Sequence, residues 1–231
     1  MRLMFLSAII LVFSVSCTGK NIKKDPVKVT EKNPVKIEEK NNHTGKVENN
    51  PLEKKVKEVT EEEKVKFAEY LVNPKYYSTN GGYYQSKYKA RILSIIKGLI
   101  EKHSVQISEG TFGFYFDKKS KRTDSLFLGL DINVDNDKNM EYAHFAVSVI
   151  KKNAINILNE IYTHRVILKE NEIVGVVIGF KWKQSGIRQQ VNIWIKESDI
   201  NLTYTGKITV NEMLQRSTIT NTEGKVILLS I

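Results

Sequence analysis

The sequence predicts an α+β domain over residues 60–231, with an N-terminal helical pair, an antiparallel sheet of about five strands and a long helix packed on one face of that sheet. Three observations predict it. Apolar residues keep a helical period up to His103 and then alternate, with Phe112, Phe114 and Phe116 followed by Leu126, Leu128, Leu130, Ile132 and Val134. The helical period returns in one long stretch through Met140, Ala143, Val147, Ile150, Ala154, Leu158 and Ile161, and a second pair of alternating runs follows it. Two Thr-x-x-Glu boxes, Thr60 with Glu63 and Thr209 with Glu212, mark helix starts near either end.

In chain order, the Thr60 hydroxyl can accept from the Glu63 backbone N–H while the Glu63 carboxylate reaches back, which starts a first helix. Its apolar positions are Val65, Ala68 and Val72, and Pro74 closes it. Asn80-Gly81-Gly82 reads as a flexible turn. A second helix then carries Tyr88, Ile92, Ile95, Ile96 and Leu99, so that the two helices lie antiparallel. The first strand pair is half-buried and joined by the polar loop from Lys118 to Asp124. In the second pair, Val174, Val176, Ile178, Phe180 and Trp182 share one face and Val191, Ile193 and Ile195 share a face of the partner, with Gln184-Ser185-Gly186 as the turn. Ile173 and Val177 on the other side make the first of these strands central and covered on both sides. A short helix from Thr209 through about Gln215 and a strand from Lys225 to Ile231 complete the order.

Residues 1–59 have a different character. Arg2 is followed by an apolar run from Leu3 to Val15 and then, after Ser16, by Cys17, the only cysteine. A helix needs roughly 20 apolar residues to cross a hydrocarbon core about 30 Å thick, so this run is too short to span one. Its layout is that of an export signal over residues 1–16. Ser14 and Ser16 also satisfy the small-x-small rule of an ordinary secreted protein. A thiol placed directly after the cut is the nucleophile that takes a diacylglyceryl group, which makes Cys17 the candidate lipidated residue. Each buried CH2 of such an anchor contributes about 0.8 kcal/mol to membrane attachment.

Residues 17–59 are poor in aromatics, rich in Lys, Glu and Asn, and carry three of the four prolines. Such a segment buries too little apolar surface to offset its ordering entropy, so it is expected to be disordered. Within it DPVKVTEK is followed by NPVKIEEK, whose prolines and β-branched residues favour extended chain. It reads either as a tether that lifts the domain off a membrane or as a linker without sequence requirement.

Composition narrows the function. A formal net charge of +10 directs the chain towards polyanions such as acidic glycans, anionic lipid headgroups or nucleic acid, and export makes nucleic acid the least compatible of these. With Cys17 lipidated, no cysteine remains for a disulfide, for thiol catalysis or for a metal site. His43, His103, His144 and His164 share no metal-ligand spacing; His103 and His164 fall at predicted helix ends, where a cation complements the dipole. Asp131, Asn133, Asp135 and Asp137 alternate like the start of a calcium loop, but Asn136 stands at its glycine position and Tyr142 at its bidentate glutamate position. Asp131 and Asn133 read instead as the wet face of a strand, with Asp137 or Asn139 capping the long helix. No nucleophile elbow, phosphate loop, HExxH or paired-carboxylate motif is present. The expectation is a protein that is not an enzyme and takes no metal and no cofactor.

The densest unusual patch is Lys75 to Arg91, KYYSTNGGYYQSKYKAR, with five tyrosines among four basic residues. Tyrosine and arginine are enriched at binding hot spots because they combine large contact area with a polar handle. Tyr76, Tyr77, Tyr83, Tyr84, Lys87, Lys89 and Arg91 are therefore the candidate ligand-binding residues, for a partner protein or an acidic glycan. The other reading is that the tyrosines pack the two helices together and the lysines are solvated. Lys118, Lys119, Lys121 and Arg122, at a predicted hairpin tip, are a secondary candidate for acidic ligands.

Taken together, the lipobox-like end at Cys17, the Lys/Asn/Glu tether, the cysteine-free body and the heavy use of Ile, Lys and Asn resemble the surface lipoproteins of Lyme-disease-type spirochaetes, among them the S2 antigen group. The bacterial lipoprotein box usually has Leu three positions before its cysteine, where this chain has Ser14; spirochaetal lipoproteins accept that relaxation. The resemblance rests on residues 1–60 and on composition. It implies a lipid anchor in the outer membrane, exposure at the cell surface and a role in host interaction, as an adhesin or in immune evasion. It transfers no binding residues. The alternative class is a periplasm-facing lipoprotein with a structural or envelope-assembly role.

Overall fold

The computed structural model describes residues 59–71, 79–116, 125–136 and 140–231. The signal, Cys17, nearly all of the tether, Tyr76, Tyr77 and the Lys118 to Asp124 loop lie outside the described residues. The element order is α1 (Glu61–Ala68), α2 (Thr79–Lys87), α3 (Lys89–His103), β1 (Gly113–Phe116), β2 (Leu126–Asn133), α4 (Tyr142–Tyr162), a 3-10 turn (Arg165–Lys169), β3 (Ile173–Gln184), β4 (Ile187–Lys196), α5 (Glu197–Tyr204), α6 (Val210–Arg216) and β5 (Thr218–Asn221). This is an α+β fold.

The five strands lie in chain order, β1-β2-β3-β4-β5. Neighbours are antiparallel except β2 and β3, which are parallel, so the sheet is mixed where a fully antiparallel one was expected. The reason is α4. Its 21 residues extend about 31 Å at 1.5 Å per residue. That carries the chain back to the end where β2 began, and a strand started there must run parallel to β2.

One face of the sheet carries the core. Leu126, Leu128, Leu130 and Ile132 stand beside Ile173, Val176, Ile178 and Phe180, which stand beside Ile195, Ile193 and Val191 in turn. All are buried. Fully burying a side chain of this size contributes about 1.5–3 kcal/mol. Pairing of Leu126 with Ile173 but of Phe127 with Gly175 leaves Val174 as an extra residue in β3. This bulge reverses the alternation at the strand's start, so Ile173 joins the core face and Val174, expected there, does not. Strand β3 is central, as expected, but the expected cover on both sides is met only in part: Val177 on the far side is buried, whereas Lys181 is half-buried and Lys183 exposed.

Helix α4 packs on this face through Phe145, Ala146, Val149, Ile150, Ala154, Ile157, Leu158 and Ile161. Its C-terminal stripe matches the expected one, whereas Ala143 and Val147 are only half-buried; the Phe145 ring, 5.1 Å from that of Trp182, takes the inward position instead. Glu141 occupies the N-cap without a side-chain cap bond. Asp137 and Asn139, the expected caps, lie outside the described residues. The Asn136 side chain accepts from the Met140 N–H at 2.9 Å and secures the approach to the helix.

The N-terminal region forms three helices rather than two. Asn80, Gly81 and Gly82 lie inside α2 and not in a turn. A glycine costs a helix interior about 1 kcal/mol, and here burial of Tyr84 against Phe114 of β1, at 5.9 Å between rings, opposes that cost. Helix α1 starts with the expected capping box but docks through Phe67, which is fully buried, and through the Glu63–Lys97 ion pair to α3. Val65, expected inward, is 77% exposed, Ala68 is exposed as well, and Val72 and Pro74 lie outside the described residues. Helix α3 buries Ile92, Ile95, Ile96 and Leu99 as expected, with Leu93 beside them, and ends at left-handed Ser104.

At the C-terminal end, the Thr209–Glu212 box caps α6 in both directions. Helix α5 was not expected, and the last strand is β5 rather than Lys225 to Ile231, of which Val226 makes only a single bridge to Thr220. The β3–β4 turn is Ser185-Gly186 alone, with φ of 49° and 80°, the two positive values of a type I′ hairpin. Gln184 is already paired with Ile187.

Candidate functional site

The tyrosine-rich patch separates into packing and surface. Tyr84 and Tyr88 are buried and their rings stack with centroids 6.5 Å apart. The Tyr88 hydroxyl donates to Glu170, and the Lys87 Nζ lies 2.7 Å from the same carboxylate and 5.3–5.8 Å from the rings of Tyr83, Tyr84 and Tyr88. These two donors, Lys87 foremost, hold the Glu170 carboxyl below the usual range, while burial pushes Tyr84 and Tyr88 up. Tyr84 and Lys87 thus clamp α2 onto β1 and the 3-10 turn. Tyr83, 60% exposed, and the exposed Lys89 and Arg91 are the described members of the patch that remain open to a partner.

A second group of residues comes together on the sheet face opposite the core. Register places Tyr115, Phe127, Asp131, Asn133, Val177, Lys181, Gln190, Asn192, Trp194 and Thr220 there. Val177 is 7% exposed yet stands outside the contiguous core, as do Tyr115, Phe127 and Trp194. The apolar half of the face is built from the Phe127 and Trp194 rings, edge to face with centroids 5.0 Å apart, and from Tyr115, whose hydroxyl donates to the Thr111 carbonyl. Burial, aided by the charge of Asp131, pushes the Tyr115 phenol up.

The polar half is a continuous network across four strands. Lys181 Nζ lies 2.6 Å from Asp131 Oδ2. Gln190 Nε2 donates to Asn192 Oδ1 at 2.6 Å and more weakly to Asp131 Oδ1 at 3.4 Å. Asn192 Nδ2 and Trp194 Nε1 both donate to Thr220 Oγ1, at 3.3 and 3.2 Å. Glycines make the flat arrangement possible. A Cβ on Gly175 would come within 2.9 Å of the Phe127 ring, and one on Gly179 would overlap the Asp131 carboxylate and come within 2.8 Å of Asn192 Oδ1. At the start of β3 the face adjoins an open cleft of about 450 Å³ bordered by Phe127, Val174, Lys169 and Lys196.

Such a surface offers planar donors and acceptors beside aromatic rings, which suits binding. Asp131 and Asn133 are the wet face of their strand, as expected. The rest of the group was missed, although its signal is present: Gly129, Gly175 and Gly179 alternate with buried residues in β2 and β3, and Asn192 and Trp194 alternate with Ile193 and Ile195.

His164 departs from expectation. It is 3% exposed, and burial, reinforced by the nearby charges of Arg91 and Lys102, lowers its pKa to about 4, with Glu160 opposing. It is a neutral core residue rather than a cation at a helix end. Glu160, also buried, accepts two bonds from Lys102 Nζ at 2.9 and 3.0 Å.

Among the described residues, no group of three or more His, Cys, Asp and Glu could hold a metal, and no helix is long and apolar enough to cross a membrane. No protein family matches the chain, and neither a curated protein nor a solved structure is found to be similar to it.

Proposed function

We propose that this chain is a lipid-anchored lipoprotein of the bacterial outer membrane, displayed at the cell surface, where it binds a host ligand as an adhesin or in immune evasion. The observation that carries the reading is the short apolar run Leu3 to Val15 ending at Cys17, the layout of a signal cut before a lipidated cysteine. The Lys/Asn/Glu-rich stretch after it serves as the tether. The open sheet face supports a binding role over a catalytic one, because its one carboxylate is neutralised by Lys181 and its polar side chains are tied to one another.

Protease treatment of intact cells, run beside a Cys17→Ala variant, tests this. The domain should be shaved from intact cells, and the variant should leave the membrane fraction. Protection in intact cells, with digestion only after the outer membrane is opened, would make the protein periplasm-facing and end the host-binding reading.

A further inference from the structure

We propose that the open sheet face is a binding site for an acidic oligosaccharide, which lies along β3 and β4 from the Phe127–Trp194 pair to Lys183 and Arg188 at the hairpin end. The inference rests on the surface-binding role proposed above and names its ligand class.

Along this face the rows of paired residues change in character. Val177 and Trp194 form one row, Gly179 and Asn192 the next, Lys181 and Gln190 the third, and Lys183 and Arg188 the last. Apolar, amide and basic groups thus follow in sequence over six residues, about 20 Å of strand. Sugar rings present apolar C–H faces and hydroxyl edges, so an aromatic pair followed by amides fits successive units of one chain. A protein partner would want a broad apolar centre, which this face, interrupted by its polar network, does not offer.

Charge decides between neutral and acidic sugars. Lys183 and Arg188 are exposed and make no ion pair among the described residues, while Lys181 shares its charge with Asp131. The ligand end beyond Gln190 therefore meets two uncompensated cations in a chain of net charge +10. Because the network is already assembled and its glycines hold the side chains flat, the site needs little ordering before it binds.

The test uses the full chain in detergent micelles with a sulfated hexasaccharide and, for comparison, the neutral maltohexaose. The chain has two tryptophans, Trp194 on this face and Trp182 buried in the core, so their indole N–H resonances report site and core separately. The sulfated hexasaccharide should shift the Trp194 resonance and leave that of Trp182 in place. Combined Lys183→Ala and Arg188→Ala should weaken its affinity at least about tenfold, whereas Lys151→Ala with Lys152→Ala, an exposed pair on α4, should change it less than about twofold. The proposal is overturned by absence of binding, by binding with an unmoved Trp194 resonance, by equal losses in the two double variants, or by equal affinity for maltohexaose. A shifted Trp194 in a protein that intact cells protect from protease keeps the site and removes the surface location, so the two readings fail separately.

Discussion

The covered and the open faces of the sheet share five strands and one alternation, yet they hold their side chains by different means. On the covered face Phe180, Ile178 and Ile193 are fully buried under α4 and its neighbours, and removal from water supplies the stabilisation. On the open face the side chains lie over glycines and are held by hydrogen bonds and one ion pair, each with a small net contribution in partial solvent. The first arrangement is costly to disturb; the second is ordered but leaves its outer side available.

The largest expected effect tests that difference directly. Phe180→Ala should lower unfolding free energy by about 3–5 kcal/mol, a large part of the roughly 5–15 kcal/mol of a whole domain. Phe127→Ala on the open face, half-exposed, should cost about 1 kcal/mol. Urea unfolding measures both, and equal losses would mean that the open face is as packed as the core.

Next comes pH. His164 is held near pKa 4 in the fold, against about 6.5 in an unfolded chain. Its folded value is depressed, so the unfolded chain takes up a proton first as pH falls. Stability should drop by up to about 3 kcal/mol between pH 6.5 and 4 and change no further from this source outside that window. His164→Leu should flatten this part of the stability profile; an unchanged slope would assign it to other groups.

The glycines sharpen the comparison at smaller size. Gly98 of α3 faces the buried Glu160 carboxylate, which a Cβ would overlap, so Gly98→Ala should cost about 2–3 kcal/mol. Gly129→Ala meets the Val177 side chain and the Tyr115 ring, apolar neighbours rather than a buried carboxylate, for a loss of about 1–2 kcal/mol. Thermal unfolding of the two variants should rank them in that order. The smallest effect belongs to Lys183→Ala with Arg188→Ala, whose exposed side chains should leave stability within about 0.5 kcal/mol of the parent while changing glycan affinity.

Legibility followed locality. Both Thr-x-x-Glu boxes appear as read, because a capping box is complete within four residues. The alternations of β2 and β4, and that of β3 after its bulge, appear as read because the core-facing residues of each strand alternate with those of the opposite face. The Asn80-Gly81-Gly82 turn failed because Tyr84, four residues away from Asn80, finds Phe114 of β1 and draws the glycines into a helix. Strand β5 was passed over because four residues give too short a pattern, and its place depends on pairing with Val191 to Trp194. In the tyrosine patch, nothing local separates Tyr84 from Tyr83; Phe114 of β1 decides which ring is buried, and Glu170, far along the chain, clamps Lys87 and Tyr88.

The sequence by itself determined the fold class, the order of most elements and most core positions of α3, β2 and β4, since periodicity and caps act over a few residues at a time. The parallel β2–β3 pairing, the Val174 bulge, the neutral state of His164 and the open aromatic and polar face were decided only by the tertiary structure. Each depends on which distant residues the crossover through α4 sets side by side, and a linear pattern does not carry that information.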